Sequence, residues 1–351
     1  MEEKVTLQPE EAPASEADSD ALIDQFLAES GGGAVREDAG VVAAGWDEEL
    51  PEGHKSGFAA LIGRPNVGKS TLVNALIGHK VSIATPVPQT TRRRVTGILT
   101  EPTYQIIFVD TPGIHKRPPH RINKIMISEA VAAIPDADVL LWVVDVGAPP
   151  RDEDETIARL LREKGRTIPV LLVFNKIDRI GRQSVEEVAT RMAAYQALLP
   201  DDAGAVQVSA LEETNLDLLM AQVLDYVPEG PRYYPGDQIT DQTEYRIAAE
   251  LIREAVFRYT YREIPHAAAV LVEDYYEREN GVTYIAARVW VERESQKPIV
   301  VGKGGSLLKR VGTAARHELE RFIGGKVYLE LWVKVKPNWR DEMARLRELG
   351  F

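Results

Sequence analysis

The segment Gly63-Arg-Pro-Asn-Val-Gly-Lys-Ser70 fits G-x-x-x-x-G-K-[ST] and restricts this chain more than any other stretch. It follows an apolar run, Phe58–Ile62, of the kind that makes a buried strand, and precedes Thr71–Ile77, which reads as a helix closed by Gly78. Strand, glycine-rich turn and helix make a phosphate-binding loop, in which backbone N–H groups wrap a polyphosphate and the positive helix end faces it. Lys69 is then expected to reach the β- and γ-phosphates and the Ser70 hydroxyl to hold Mg²⁺. Gly63, Asn66, Val67, Gly68 and Thr71 complete the expected cradle.

Further apolar runs, Tyr104–Val109, Val139–Val144, Val170–Phe174 and Ala205–Val208, alternate with helical patterns over 121–134, 152–164, 184–198 and 215–227. That alternation predicts an α/β fold with a doubly wound, mostly parallel sheet over residues 56–228; only Val95–Thr100 is expected to pair antiparallel, with Tyr104–Val109. Ligands of such sheets sit at the C-terminal strand ends, and three more motifs fall there. Asp110-Thr-Pro-Gly113 offers a carboxylate for Mg²⁺ and, at Gly113, a backbone N–H that faces a γ-phosphate with no side chain in the way. Thr111 and Pro112, between them, are expected to line the nucleotide as well. Asn175-Lys-Ile-Asp178 offers a carboxylate that accepts from guanine N1–H and N2–H₂; adenine presents an acceptor at N1 and lacks the 2-amino group. Lys176 is expected over the base plane, and the backbone N–H groups of Ser209, Ala210 and Leu211 at guanine O6. The plain alternative for each motif is a turn or helix cap after a strand. The acids Asp152–Glu155 read as a solvated helix start.

The net charge of −12 is unevenly placed. Residues 1–55 carry 15 Asp/Glu against 3 Lys/Arg and read as a disordered acidic extension, whereas residues 293–340 carry 11 Lys/Arg against 4 Asp/Glu. The asymmetry suggests that the basic end meets nucleic acid and that the acidic extension competes for it. Pro228–Pro235 breaks regular structure, so 229–240 reads as a linker. Beyond it, 241–351 reads helix, strand, strand, helix, helix, strand, with Asp241 or Thr240 capping the first helix and Asn338–Leu349 forming a last one. Between the two middle helices lies Gly302-Lys-Gly-Gly305, a G-x-x-G loop that lets a nucleic-acid backbone approach closely, with Lys303, Lys309 and Arg310 beside it. With no cysteine, disulfides and thiolate chemistry are excluded, and no apolar run reaches the roughly 18 residues of a membrane span.

The ordered set Gly63–Ser70, Asp110–Gly113, Asn175–Asp178 and Ser209–Leu211 resembles the translation-factor-like GTPases. That resemblance implies a threonine closing over Mg²⁺ and γ-phosphate. Thr90 and Thr91 both qualify, and Thr91 is favoured, which makes Lys69, Thr91 and Gly113 the expected catalytic groups. Ras-like enzymes carry a water-orienting Gln after this glycine, but here the position is Ile114. Some GTPases with an apolar residue there use K⁺ held partly by a phosphate-loop Asn, which is the position of Asn66. Val291–Lys297, Gly302–Gly305 and Leu329–Val335, with Pro88-Gln-Thr-Thr91 and Tyr234-Pro235, resemble the Era family across about residues 56–351. Membership implies a GTPase domain followed by a smaller α+β type II KH domain. It also implies GTP hydrolysis, binding to the 3′ end of small-subunit ribosomal RNA, and assistance to 30S subunit assembly. The expected location is the cytoplasm, with peripheral contact at the inner face of the membrane. The rival readings are a module that holds GTP as a structural ligand, a nucleic-acid-stimulated ATPase, which Asp178 disfavours, and a membrane-attached regulator.

Overall fold

Short apolar strands covered on both faces need two layers of helices, and the chain supplies them. The computed structural model describes residues 50–115, 120–165, 167–181, 183–200 and 203–351. In it, β1 (Lys55–Ile62), β2 (Val95–Glu101), β3 (Tyr104–Asp110), β4 (Val139–Asp145), β5 (Val170–Asn175) and β6 (Gly204–Gln207) form one sheet in the order β2-β3-β1-β4-β5-β6. Only the β2–β3 pair is antiparallel. Alternate residues of each strand face opposite layers. Leu61, Phe108 and Val143 pack against Leu72 of α1 (Lys69–Ile77) and Leu219 of α5 (Leu216–Tyr226). Ile62, Trp142 and Phe174 pack on the other side against Ile127 of α2 (Arg121–Ala132), Leu161 of α3 (Asp152–Lys164) and Tyr195 of α4 (Val185–Gln196). This brings the C-terminal ends of β1, β3 and β5 to one edge, where the loops carrying the motifs begin.

The second unit runs α6 (Glu244–Tyr259), α7 (Ile264–Ala267), β7 (Ala269–Glu277), β8 (Thr283–Val291), α8 (Lys297–Val301), α9 (Ser306–Ile323), β9 (Val327–Val335) and α10 (Met343–Glu348). Its sheet has the order β7-β8-β9, with β8 antiparallel to β7 and parallel to β9. Ile247, Leu251, Val289, Val311 and Leu319 close a core between the sheet and α6 and α9. This is the α+β arrangement expected of a type II KH domain.

Several boundaries differ from the sequence expectation. Residues 1–49 of the expected acidic extension lie outside the described residues. The folded part begins before residue 56: Lys55 opens β1, and His54 is buried, its carbonyl accepting from Gly230 N–H at 2.9 Å. The cap of α6 is Thr243, whose hydroxyl accepts from Arg246 N–H at 3.4 Å, rather than Thr240 or Asp241. The Thr240 hydroxyl instead donates to the Thr96 carbonyl at 2.6 Å. The expected linker passes from the start of β1, where Glu229 bridges to Lys55, past Gln105 of β3 to β2, where Ile98 N–H donates to the Ile239 carbonyl at 2.9 Å. The buried Gln105 side chain accepts from the Tyr233 and Tyr234 N–H groups at 2.8 and 2.9 Å and donates to the Tyr234 carbonyl at 2.8 Å. The last helix is confined to Met343–Glu348, because Trp339 turns inward to donate from its indole to the Ala267 carbonyl at 2.9 Å.

Candidate functional site

The phosphate loop folds as its residue types require. Asn66 and Gly68 take positive φ values of 62° and 102°, and a Cβ on Gly68 would meet Asn175 Nδ2 at 2.3 Å. Gly113 backs onto Pro65, whose backbone N would lie 2.5 Å from an added Cβ. Lys69 is buried and donates to the Gly63 and Arg64 carbonyls at 3.0 Å each.

Ser70, Thr91 and Asp110 converge on one point. Ser70 Oγ donates to Asp110 Oδ2 at 2.6 Å and lies 2.8 Å from Thr91 Oγ1, which lies 3.3 Å from Asp110 Oδ2. The Ser82 hydroxyl, absent from the sequence expectation, also donates to Asp110 Oδ2, at 2.8 Å. Asp110 Oδ1 is buried with no hydrogen-bond partner among the described residues. An all-oxygen set around an unpartnered buried carboxylate oxygen suits a hard divalent cation such as Mg²⁺. Electrostatics agree. Burial pushes the Lys69 ammonium down to about 8 against the pull of Asp110, and pushes the Asp110 carboxyl up against the pull of Lys69 and three hydroxyls. Each group lacks a full counter-charge, which a polyphosphate and a cation supply. Thr90 faces elsewhere, its hydroxyl donating to the Val87 carbonyl at 2.6 Å, so geometry favours Thr91 of the two.

Between Asp110 and Gly113, Thr111 is fully buried and its hydroxyl donates to the Leu61 carbonyl of β1 at 2.6 Å, which ties the motif to the sheet. Pro112 is buried as well and has no N–H, so its ring and the carbonyls of the turn are what it can present.

At the base end, Asn175 is buried and staples two loops, donating to the Val67 carbonyl at 2.9 Å and accepting from Ala210 N–H at 3.0 Å. Lys176 Nζ lies 2.8 Å from Asp145 Oδ2, which holds its stem across the pocket mouth. Asp178 accepts from the Ser209 hydroxyl at 2.6 Å. Of the three expected backbone donors, Ser209 N–H donates to the Thr214 carbonyl at 3.2 Å and Ala210 N–H to Asn175 Oδ1 at 3.0 Å.

In the second unit, Gly302, Gly304 and Gly305 have φ of 74°, 57° and 78°. A Cβ on Gly302 would meet Leu307 at 2.7 Å, whereas Gly304 and Gly305 face open space beside the exposed Lys303. The loop therefore presents backbone outward, at the start of α9, which carries Lys309 and Arg310.

Two family models match: a 50S ribosome-binding GTPase over residues 58–176 and a KH domain over residues 263–340. GTPase Era of Heliobacterium modesticaldum is 46% identical over 300 residues, covering 85% of this chain and 97% of the relative. GTPase Era of Halothermothrix orenii is 44% identical over 85% of this chain and 99% of its own. The chain belongs to the Era family of GTPases. A solved structure of Era with MgGDPNP and nucleotides 1506–1542 of 16S ribosomal RNA superposes with a TM-score of 0.80 at 40% identity. It covers 85% of this chain and 99% of that one. Aquifex aeolicus Era bound to GDP·AlF₄⁻ gives the same TM-score and identity over 84% of this chain and 99% of that one.

This Era-family chain has features that its motifs do not announce. Arg92, next to Thr91, is buried in the KH domain. It donates to the carbonyls of Pro265, His266 and Ala268 at 3.3, 3.2 and 2.9 Å, with the Trp339 ring 5.4 Å away. These carbonyls stand at the end of the short α7, where helical acceptors lack partners. Burial first, then the neighbouring Arg253, holds the Arg92 guanidinium well below its usual range. Arg253 of α6 donates to the Thr90 carbonyl at 2.5 Å. From α2, Ile122 and Met126 pack with Trp290, Trp339 and Leu346, and Asp341 Oδ1 accepts from Arg121 N–H at 2.8 Å. The Thr90–Arg92 segment and α2 thus both contact the KH domain.

Of the acids at the start of α3, Asp152 and Glu155 are exposed as expected and Asp154 is not. Asp154 is fully buried and pairs with Arg64 of the phosphate loop at 2.8 Å, with the Tyr195 hydroxyl at 3.5 Å. Burial raises the Asp154 carboxyl, opposed by Arg151 N–H and Arg64. Removing one member of a buried pair strands the other, so Asp154→Ala should lower stability by about 3 kcal/mol in chemical denaturation. A loss below about 1 kcal/mol, the size seen for exposed pairs, would contradict a structural pair here.

Proposed function

We propose that this chain uses its GTPase cycle to control how its KH domain holds the 3′ end of small-subunit ribosomal RNA during 30S assembly and RNA maturation. The observation that carries the coupling is the adjacency of Thr91, which faces Ser70 and Asp110, to Arg92, which is inserted among KH-domain carbonyls. Movement of Thr91 toward a γ-phosphate pulls on Arg92 one residue away, so the two arrangements of this segment differ in their hold on the KH domain. The related Era structure that contains both a GTP analogue and 16S ribosomal RNA supports the same pairing of ligands.

Ser70, Thr91 and Asp110 would hold Mg²⁺, which supplies charge neutralisation on the β- and γ-phosphates. Lys69 would neutralise the same oxygens, and the Gly113 N–H would face the γ-phosphate. Asp178 selects guanine. Water activation falls to backbone groups and Thr91, since Ile114 is 2% exposed and packs into the core with Ile127 and Trp142. Turnover of GTP by the purified protein separates this reading from a module that holds GTP as a structural ligand.

Potassium follows from the same gap. Asn66 lies in the phosphate loop with its amide donating to the Pro86 carbonyl at 2.8 Å, and its side-chain oxygen would be the ligand offered to a monovalent cation. Hydrolysis should run faster in potassium than in sodium at equal ionic strength, and Asn66→Ala should abolish the difference. Equal wild-type rates in the two salts would remove the cation from the account.

No helix among the described residues is long and apolar enough to cross a membrane. The proposed place of action is the cytoplasm, with the ribosomal subunit.

A further inference from the structure

We infer that the RNA-backbone site begun by the G-x-x-G loop, Lys309 and Arg310 continues into a second part, the groove between α6 and α9, through Arg258 and Arg321; this inference rests on the RNA reading above. The groove measures about 920 Å³ and opens at Ser306, directly after Gly305. Arg258, Lys309, Arg310, His317 and Arg321 line it, all exposed, and Arg310 lies over the Tyr259 ring at 4.8 Å. Among the described residues Glu318 is the one carboxylate in the lining, and it is engaged by Lys80 at 3.3 Å and by Arg321 at 3.1 Å.

The position on α9 turns this groove toward α6. Val311, Ala315 and Leu319 turn inward to the core, and a Cβ on Gly312 would lie 3.5 Å from Leu331 of β9. Lys309, Arg310, His317 and Arg321 face α6 instead. A G-x-x-G loop clamps about four nucleotides, so a longer strand must leave it. A strand leaving across the first turn of α9 meets four guanidinium or ammonium groups, one ring already stacked by a guanidinium, and almost no opposing charge. Phosphates attract such groups without regard to base, and an aromatic ring under an arginine is a stacking platform for a base. The groove therefore adds affinity and length dependence, while the loop and its cleft add selection.

The test uses the full-length protein with Arg258→Gln and Arg321→Gln together, which leaves the loop, Lys309 and Arg310 in place. Two single-stranded RNAs share one 3′-terminal sequence: one of about six nucleotides, enough for the clamp, and one of about 30. The double variant should bind the long RNA about tenfold more weakly at low salt, with its log-affinity against log-salt slope reduced by about 1.4, since each lost contact to single-stranded RNA removes about 0.7. Its affinity for the short RNA should change less than twofold. Equal losses on both RNAs, or none, would overturn the second part of the site. A gain in affinity would assign the groove to a competitor such as the acidic residues 1–49 and would equally overturn it. Failure of the unmodified protein to bind either RNA would defeat the RNA reading itself.

Discussion

Asp178→Asn should reverse the base preference of the nucleotide pocket. The wild-type carboxylate, aligned by the Ser209 hydroxyl at 2.6 Å, would accept from two guanine N–H groups. Charged hydrogen bonds of this kind contribute about 1.5–3 kcal/mol each, so losing both costs about 10²–10⁴-fold in GTP affinity. An amide turned to accept from one donor presents its own N–H₂ to the other, so no rotamer restores the pair. Xanthine carries an oxygen at C2, and the amide can donate to it; xanthosine triphosphate should therefore bind the variant more tightly than GTP does. Fluorescence competition with a labelled GDP measures both affinities. Equal GTP affinity in variant and wild type would show that Asp178 does not read the base.

Gly304→Asp should have the second large effect, confined to the other ligand. Gly304 has φ of 57° and open space where a Cβ would go, and Asp is among the residues that tolerate this left-handed region, so the fold survives. The new carboxylate would stand beside the approaching phosphate, in place of a bare backbone. RNA affinity should fall by about 100-fold, the scale of one repelled and one lost phosphate contact at low salt, while GTP affinity stays within about twofold. Unchanged RNA affinity in a folded variant would mean that Gly302–Gly305 is only a helix–helix turn.

What the sequence makes legible is what is local. The phosphate loop, Asp110–Gly113, Asn175–Asp178 and Gly302–Gly305 are short runs whose chemistry depends on neighbouring backbone, so their spacing is visible without tertiary information. The strand and helix order is legible for the same reason, because both faces of the sheet are covered and the apolar runs are continuous. Pairings between residues distant in the chain are illegible. Arg64 with Asp154, Arg92 with the carbonyls of 265–268, and Gln105 with the linker join segments 90 to 176 positions apart. An acid at a helix start looks solvated unless its partner is known, which is why Asp154 reads wrongly from sequence. The hydroxyl partner of Thr111, the Leu61 carbonyl 50 positions earlier, is illegible in the same way. Ser82 gives no signal at all, since a serine in a loop has no preferred role until Asp110 stands beside it. At the end of the chain, where the helical pattern starts at Asn338, Trp339 is instead buried with its indole bonded to the Ala267 carbonyl, a partner 72 positions away.

The central claim is that nucleotide state at Thr91 is felt by the KH domain through Arg92. The direct test compares affinity for the 3′-terminal segment of small-subunit ribosomal RNA in protein loaded with GDP and in protein loaded with a non-hydrolysable GTP analogue. The measurement is repeated with Arg92→Ala. Coupling between sites is commonly about 5–150-fold, so the analogue-loaded wild type should bind the segment at least about fivefold more tightly, and Arg92→Ala should bring the two states together. Identical RNA affinity in both nucleotide states of the wild type would contradict the account.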